Sequence, residues 1–226
     1  MIEAVVKVGG SLCRRDWLRP LGLRLAEVAW RHALVVVPGG GPFADAVRAQ
    51  DARVGLGDST AHWMAILGMD QYGWLLTDWI PGSEPVWTLS AARAVAGDGR
   101  VPVLLPCTLL YESDPLPHTW GVTSDSIGAW AAVTVGAPLL VLLKDVDGVF
   151  DAFPPQGEAS RLRERVKVEE LGRYGVVDAH LPGLVARYGL DLWLLNGRRP
   201  ERLAELLATG AALGTHVEGG LPDPTG

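Results

Sequence analysis

Lys7-Val8-Gly9-Gly10-Ser11 places a lysine just ahead of two residues that carry no side chain. Consecutive backbone N–H groups in such a turn can form a concavity for an anion, with the ammonium as a point charge beside it. Gly39-Gly40-Gly41 follows the next apolar run and opens a helical pattern, where helix-terminal N–H groups would add to the attraction. Neither loop has the G-x-G-x-x-G or Walker A spacing. Either one alone is as readily explained by a strand-to-helix turn that needs glycine to fit. Two such clusters on consecutive strands, sharing one lysine, point to phosphate. Thr123-Ser124-Asp125 then offers hydroxyls and a carboxylate before an apolar helix; Ser124 or Asp125 also reads as an ordinary helix cap. Lys144-Asp145-Val146-Asp147-Gly148-Val149-Phe150 sets charges directly after a buried strand.

These residues fall where elements end. Hydrophobic patterning predicts strands at 5–8, 33–37, 85–89, 101–105, 138–143 and 190–195. It predicts helices at 17–32 and 43–50, from a Ser59 cap to about Trp79, from Ser124 or Asp125 to about Val135, and at 178–188 and 200–209. Shorter helical stretches are expected at 91–95 and 168–171, an exposed polar excursion at 153–165, and a flexible tail at 219–226. Continuous apolar strands alternating with helices indicate a parallel sheet buried on both faces. Ligands of such sheets lie beyond the carboxyl ends of the strands, which is where the glycines and polar residues sit.

The 226 residues are 48% hydrophobic and 20% charged, enough apolar content to exclude disorder and suit one folded domain. A net charge of −6 lacks the electrostatic footprint of a nucleic-acid binder. No apolar run approaches the ~20 residues a spanning helix needs, and no signal-peptide pattern opens the chain. A cytoplasmic protein with no membrane partner is therefore expected. Cys13 and Cys107 make neither a disulfide framework nor a zinc site. Tryptophan, at 9 residues against 4 Tyr and 3 Phe, is costly to expose and points to a core, an interface or an aromatic pocket.

In order and spacing, Val6-Lys7-Val8-Gly9-Gly10-Ser11-Leu12, Val37-Pro38-Gly39-Gly40-Gly41, Thr123-Ser124-Asp125 and Asp145-Val146-Asp147-Gly148-Val149-Phe150 resemble the amino acid kinase family over essentially the whole chain. The resemblance implies an α/β fold, a three-layer αβα sandwich with a mainly parallel sheet. It implies one domain over 1–226, with an acceptor-side lobe at about 1–120 and a nucleotide-side lobe at about 121–218. The implied activity is ATP-dependent phosphoryl transfer, with Mg2+ arriving on ATP and no protein ligand for a metal. Lys7 would neutralise charge on the transferred group, and Asp125 would orient Lys7 rather than act as a base. Gly9, Gly10, Ser11, Gly39, Gly40 and Gly41 would bind phosphate, chiefly through backbone N–H groups. Lys144, Asp145, Asp147, Gly148, Val149 and Phe150 would lie near the nucleotide; His62, Asp70, Thr123 and Ser124 would lie at the acceptor. Such chemistry needs in-line positioning and charge stabilisation more than covalent steps. Family members usually assemble, so a homo-oligomer is expected. Many also carry a Gly-Gly-Met segment and a second catalytic lysine. Neither appears between 151 and 188, which leaves Lys144, Lys167 or Arg173 as candidates for that cation.

The segment from His62 to Gly73 matches the acceptor-binding helix of the family. Uridylate kinases hold ribose hydroxyls there with an aspartate, and His62 stands in its place. With 177–182 and 196–202, the segment resembles a narrower branch, the (5-(aminomethyl)furan-3-yl)methyl phosphate kinases of methanofuran biosynthesis. These extend an existing phosphate to a diphosphate. Such an acceptor needs cationic sites for phosphate (Lys7, the loops, His62), a carboxylate for its ammonium (Asp70 or Asp58), and an apolar wall (Trp63, Met64, Trp74). Each residue also has a plainer reading as core or exposed helix face. Alternatives are an isopentenyl phosphate or nucleoside monophosphate kinase-like enzyme and, in another class, a non-catalytic nucleotide or oxyanion binding or storage protein. Pro42-Phe43-Ala44 fills the stretch where isopentenyl phosphate kinases place a histidine, and a pure binder has no need of Lys7 with Asp125.

Overall fold

Successive side chains of a strand point to opposite faces, and in the centre of this protein both faces are covered. In the computed structural model, which describes residues 1–151 and 160–218, Val5 packs into one hydrophobic cluster while Val6 and Val8 pack into another across the sheet. Leu140 and Leu142 join the first, Val141 and Leu143 the second. The sheet therefore lies between two helical layers, the αβα sandwich expected.

The first half runs β1 (Ala4–Val8), α1 (Arg15–Ala29), β2 (Leu34–Pro38), α2 (Gly41–Val54), α3 (Asp58–Trp79), β3 (Glu84–Val86), α4 (Leu89–Gly97), β4 (Pro102–Leu104) and α5 (Cys107–Ser113). The second runs α6 (Ser124–Val135), β5 (Leu139–Lys144), β6 (Val149–Phe150), β7 (Leu162–Arg163), β8 (Arg165–Lys167), α7 (Val168–Leu171), α8 (Leu181–Tyr188), β9 (Asp191–Asn196), α9 (Glu201–Thr209) and β10 (Thr215–Glu218). Among the described residues eight strands form one sheet in the order β3-β4-β2-β1-β5-β9-β10-β8, in which only the β9–β10 pairing is antiparallel. A short antiparallel pair, β6–β7, stands apart. β1 lies between β2 and β5; the chain leaves β1 toward β2 on one side and leaves its neighbour β5 toward β9 on the other. The crevice at the carboxyl end of β1 is the switch point where such sheets bind ligands.

Two capping expectations are corrected. Ser59 does not cap α3, whose N-cap is Gly57; the Ser59 hydroxyl pairs with His118 instead. At α6 the cap is Thr123, whose side chain accepts from the Asp125 N–H. That shift releases the Asp125 carboxylate from capping duty. The tail at 219–226, and residues 153–159 of the polar excursion, lie outside the described residues; 162–163 and 165–167 form β7 and β8. Among the described residues no helix is long and apolar enough to cross a membrane.

Candidate active site

Register decides which side chains meet. β1 pairs β5 with Lys7 opposite Leu142, so Lys144, two residues on, points to the same face as Lys7. On that face α6 crosses β1, and its Gly128 allows close approach, because an added Cβ there would lie 3.3 Å from the Cβ of Lys7. The first turn of α6 then delivers Asp125 between the two lysines. Lys7 Nζ donates to Asp125 Oδ1 at 2.7 Å and Lys144 Nζ to Oδ2 at 2.6 Å.

Lys7 and Asp125 are only 4% and 3% exposed. Burial alone would push the Asp125 carboxyl up. The Lys144 and Lys7 ammonium groups outweigh it and hold the carboxyl well below the usual range. Burial, helped by Lys144, draws Lys7 below its ordinary value against the pull of Asp125. The result is an ionised carboxylate spanning two ammonium groups.

The two glycine loops touch backbone to backbone. A Cβ on Gly10 would fall 2.2 Å from Gly41 N, and Gly41 has φ +53°, so side chains are excluded at this junction. The loop amides are not equivalent. Gly9 N–H donates to Leu143 O and Gly39 N–H to Val8 O, each at 2.8 Å. This corrects the expectation that the Gly9 and Gly39 amides serve phosphate, since strand pairing consumes both. Gly10, Gly40 and Gly41 stand at helix starts, where N–H groups have no intrahelical acceptor. Tyr72 of α3 donates to Gly9 O at 3.3 Å and ties the helix to the loop.

Beside the loops opens a cavity of about 440 Å³. Its walls are Gly10, Ser11, Gly40 and Gly41; α2 with Asp45 and Arg48; α3 with Asp58, His62, Ile66 and Met69; and the approach to α6 with Trp120, Thr123 and Ser124. Ser11, Gly40, Gly41, His62, Thr123 and Ser124 are thus brought together with Gly10; Lys7, Lys144 and Asp125 are not part of the lining, and Asp125 follows directly on Ser124. Asp70 is outside the lining too. Its Oδ1 accepts from Cys107 N–H at 3.1 Å at the start of α5, and burial raises its carboxyl to about 6.

On the other side of the sheet's carboxyl edge, Asp147 accepts from Asn196 Nδ2 at 2.9 Å and from Arg202, bonds that offset burial and hold its carboxyl below the ordinary value. Gly148 has no room for a side chain, because a Cβ would lie 2.4 Å from Thr215 Oγ1. Val149 is fully buried, and its N–H donates to Thr215 Oγ1. Asp145 is half-buried just past the end of β5, and Phe150 belongs to the β6–β7 pair. This segment is braced from within, with Asp145 and Asp147 only partly buried.

Sequence reasoning missed Arg48, whose guanidinium sits 4.9 Å over the Trp120 ring, and Asp45, its ion-pair partner. Asp178, which in the sequence reads as a local pocket residue or a helix cap, takes a more central place. That carboxylate accepts from Thr123 N and Oγ1 and from Ser126 N and Oγ on α6, and from Leu181 N on α8. Arg48 and Asp45 lie three apart on α2, a spacing that could have flagged the pair. Nothing in the sequence links 178 to 123.

The chain matches the amino acid kinase family over residues 3–185. It is 29% identical to the [5-(aminomethyl)furan-3-yl]methyl phosphate kinase of Methanocaldococcus jannaschii, over 90% of this chain and 92% of that protein. It is 32% identical to the uridylate kinase of Methanospirillum hungatei, over 96% and 95%. In fold it resembles the crystal structure of uridylate kinase from Archaeoglobus fulgidus, with a TM-score of 0.75 at 20% identity over 96% of this chain and all of that one.

Proposed function

The chain belongs to the amino acid kinase family, and from that premise we propose that it passes a phosphoryl group from ATP onto the phosphate of a small phosphomonoester, (5-(aminomethyl)furan-3-yl)methyl phosphate, to give the diphosphate. The observation that carries the transfer is the Asp125 carboxylate clamped between Lys7 and Lys144 at the switch point of the sheet. Transfer to a phosphate brings two anions together, and the charge on the moving group spreads over its oxygens. Two preorganised ammonium groups, fixed before substrate arrives, lower the cost of that approach. Asp125 acts as a positioning residue. The acceptor already carries an ionised phosphate oxygen as nucleophile, and both carboxylate oxygens are engaged. Lys144 takes the part of the second cation.

Gly10, Gly40 and Gly41 supply N–H donors to phosphate oxygens, and the segment from Asp145 to Phe150 borders the nucleotide. Among the described residues no three His, Cys, Asp or Glu side chains gather as a metal site. Mg2+ enters as part of MgATP, on the oxygens of the nucleotide. The acceptor reading is supported by the relative in Methanocaldococcus jannaschii and by His62, whose single acceptor nitrogen stands where uridylate kinases present the two oxygens of an aspartate to the ribose hydroxyls. The uridylate kinase relatives favour UMP as a second reading. Exposed Trp74 and Trp87, in edge contact at 5.9 Å, support self-association through that side of the molecule.

ATP consumption by the purified protein, offered the furan phosphate, UMP, isopentenyl phosphate and glutamate in parallel, tests the reading. Selective turnover of the furan phosphate is expected. Preference for UMP would transfer the assignment to the nucleotide reading, and ATP binding without turnover of any acceptor would leave a nucleotide binder.

A further inference from the structure

Asp58, Ala61, His62, Ala65, Ile66 and Met69 line the cavity as one stripe of α3, three and four residues apart. The stripe is apolar except at its first turns. His62 is only 9% exposed; among the described residues its ring nitrogens make no hydrogen bond, and since no fully enclosed side-chain N or O lacks a partner, they are open to the cavity they line. Its ring is held by stacking on His118 at 4.3 Å and by an edge contact with Trp63 at 5.1 Å. His118 is fixed in turn, with Nδ1 paired to Ser59 Oγ and Nε2 to Asp114 Oδ1, both at 2.8 Å. Asp114, at the end of α5, has φ +40°, a strained conformation for a non-glycine residue. The cavity therefore has a clamped imidazole in its wall whose nitrogens are left for a ligand.

Burial, then the adjacent His118, lowers the basicity of His62 against a weaker pull from Asp114, so the ring is neutral near pH 7 and offers a lone pair. Asp58, one helical turn earlier, adds a carboxylate. A lone pair beside a carboxylate suits a cation with several N–H donors and repels phosphate. The distance also fits. α3 passes the start of α2 at Gly68, where an added Cβ would lie 3.0 Å from Ala44 N. His62 lies roughly 9 Å along the helix axis from that point, at 1.5 Å per residue. This leaves room for a five-membered ring and its two methylene arms between a phosphate at the glycine loops and an amine at the far end.

We propose that Asp58 and His62 form an ammonium subsite that selects an amine-bearing acceptor, held at the end of the cavity away from the glycine loops. The proposal rests on the acceptor reading above, and it moves His62 from the phosphate of that acceptor to its amine.

The test compares kcat/KM for (5-(aminomethyl)furan-3-yl)methyl phosphate with that for the analogue bearing hydroxymethyl in place of aminomethyl. The full-length protein and its Asp58→Asn and His62→Leu variants are assayed, with ATP affinity as the check on folding. The unmodified protein is expected to favour the amine by roughly ten- to a hundredfold, the range of a hydrogen bond to a charged group. Each variant is expected to bring the ratio near one, through a raised KM for the amine. His62→Lys is expected to reverse the preference. Retention of the preference in both Asp58→Asn and His62→Leu would overturn the subsite while leaving the acceptor reading intact. Equal use of the two compounds by the unmodified protein would do the same. Failure to use either compound, with turnover of UMP, would remove both together.

Discussion

Lys7, Asp125 and Lys144 form a charge arrangement whose members are unequal. Removing the carboxylate leaves two ammonium groups facing each other in a buried site. Removing Lys7 leaves Asp125 still bound to Lys144 at 2.6 Å. Asp125→Ala is therefore expected to destabilise the protein by about 3–5 kcal/mol, the usual cost of stranding a buried charge, and to abolish turnover. Lys7→Ala is expected to lower kcat by roughly a hundredfold or more, with ATP affinity held within about tenfold and a smaller loss of stability. Urea unfolding and calorimetric titration with ATP separate the two cases. A folded Lys7→Ala protein that no longer binds ATP would show that Lys7 holds the nucleotide rather than the transferring group. The pH sign follows from the same contacts. The Asp125 carboxyl is depressed in the folded state, so its stabilisation is present above the ordinary carboxylate range and is lost as pH falls below about 4.

Among the elements, α3 serves both halves of the site. Its first turns line the cavity, Tyr72 anchors the loop at Gly9, and Asp70 holds the start of α5 through Cys107 N–H. The Asp70 carboxyl is raised to about 6 by burial. The folded state thus binds a proton that the unfolded state releases between about 4 and 6, and this contribution to stability grows as pH falls through that window. Asp70→Asn keeps an oxygen for the Cys107 N–H and removes the titration. The stability difference between wild type and Asp70→Asn is expected to shift in favour of wild type between pH 7 and pH 5. A difference independent of pH would place the carboxyl in contact with water.

At the scale of the whole molecule, one sheet carries both sets of site elements. β1 joins β2 on one side and β5 on the other, so the loops, the lysines and the cavity share one carboxyl edge. The tryptophans divide between uses. Trp193 is buried, Trp120 lines the cavity, and Trp74 and Trp87 are exposed side by side. Static light scattering is expected to give a multiple of 24.1 kDa; a monomer across the micromolar range would show that the Trp74–Trp87 surface is left to solvent.

Continuous apolar runs with glycines and charges at their ends were enough to specify a parallel α/β sheet and the edge that bears its site. Strand formation depends on local pattern and burial, and Lys7, the glycine loops and Thr123-Ser124-Asp125 occupy stretches that periodicity marks as element ends. The sequence did not reveal that Thr123 rather than Ser124 or Asp125 caps α6, because all three are competent caps and only the fold of the turn chooses among them. Nor did it assign Lys144 to Asp125, Asp178 to the start of α6, or Asp70 to α5. Those pairings span from 19 to 55 residues. Strand register, the crossing of α6 at Gly128 and the docking of α3 decide them. The chain thus determined which residues carry charge and which turns stay bare, and only tertiary structure decided which of those charges face one another.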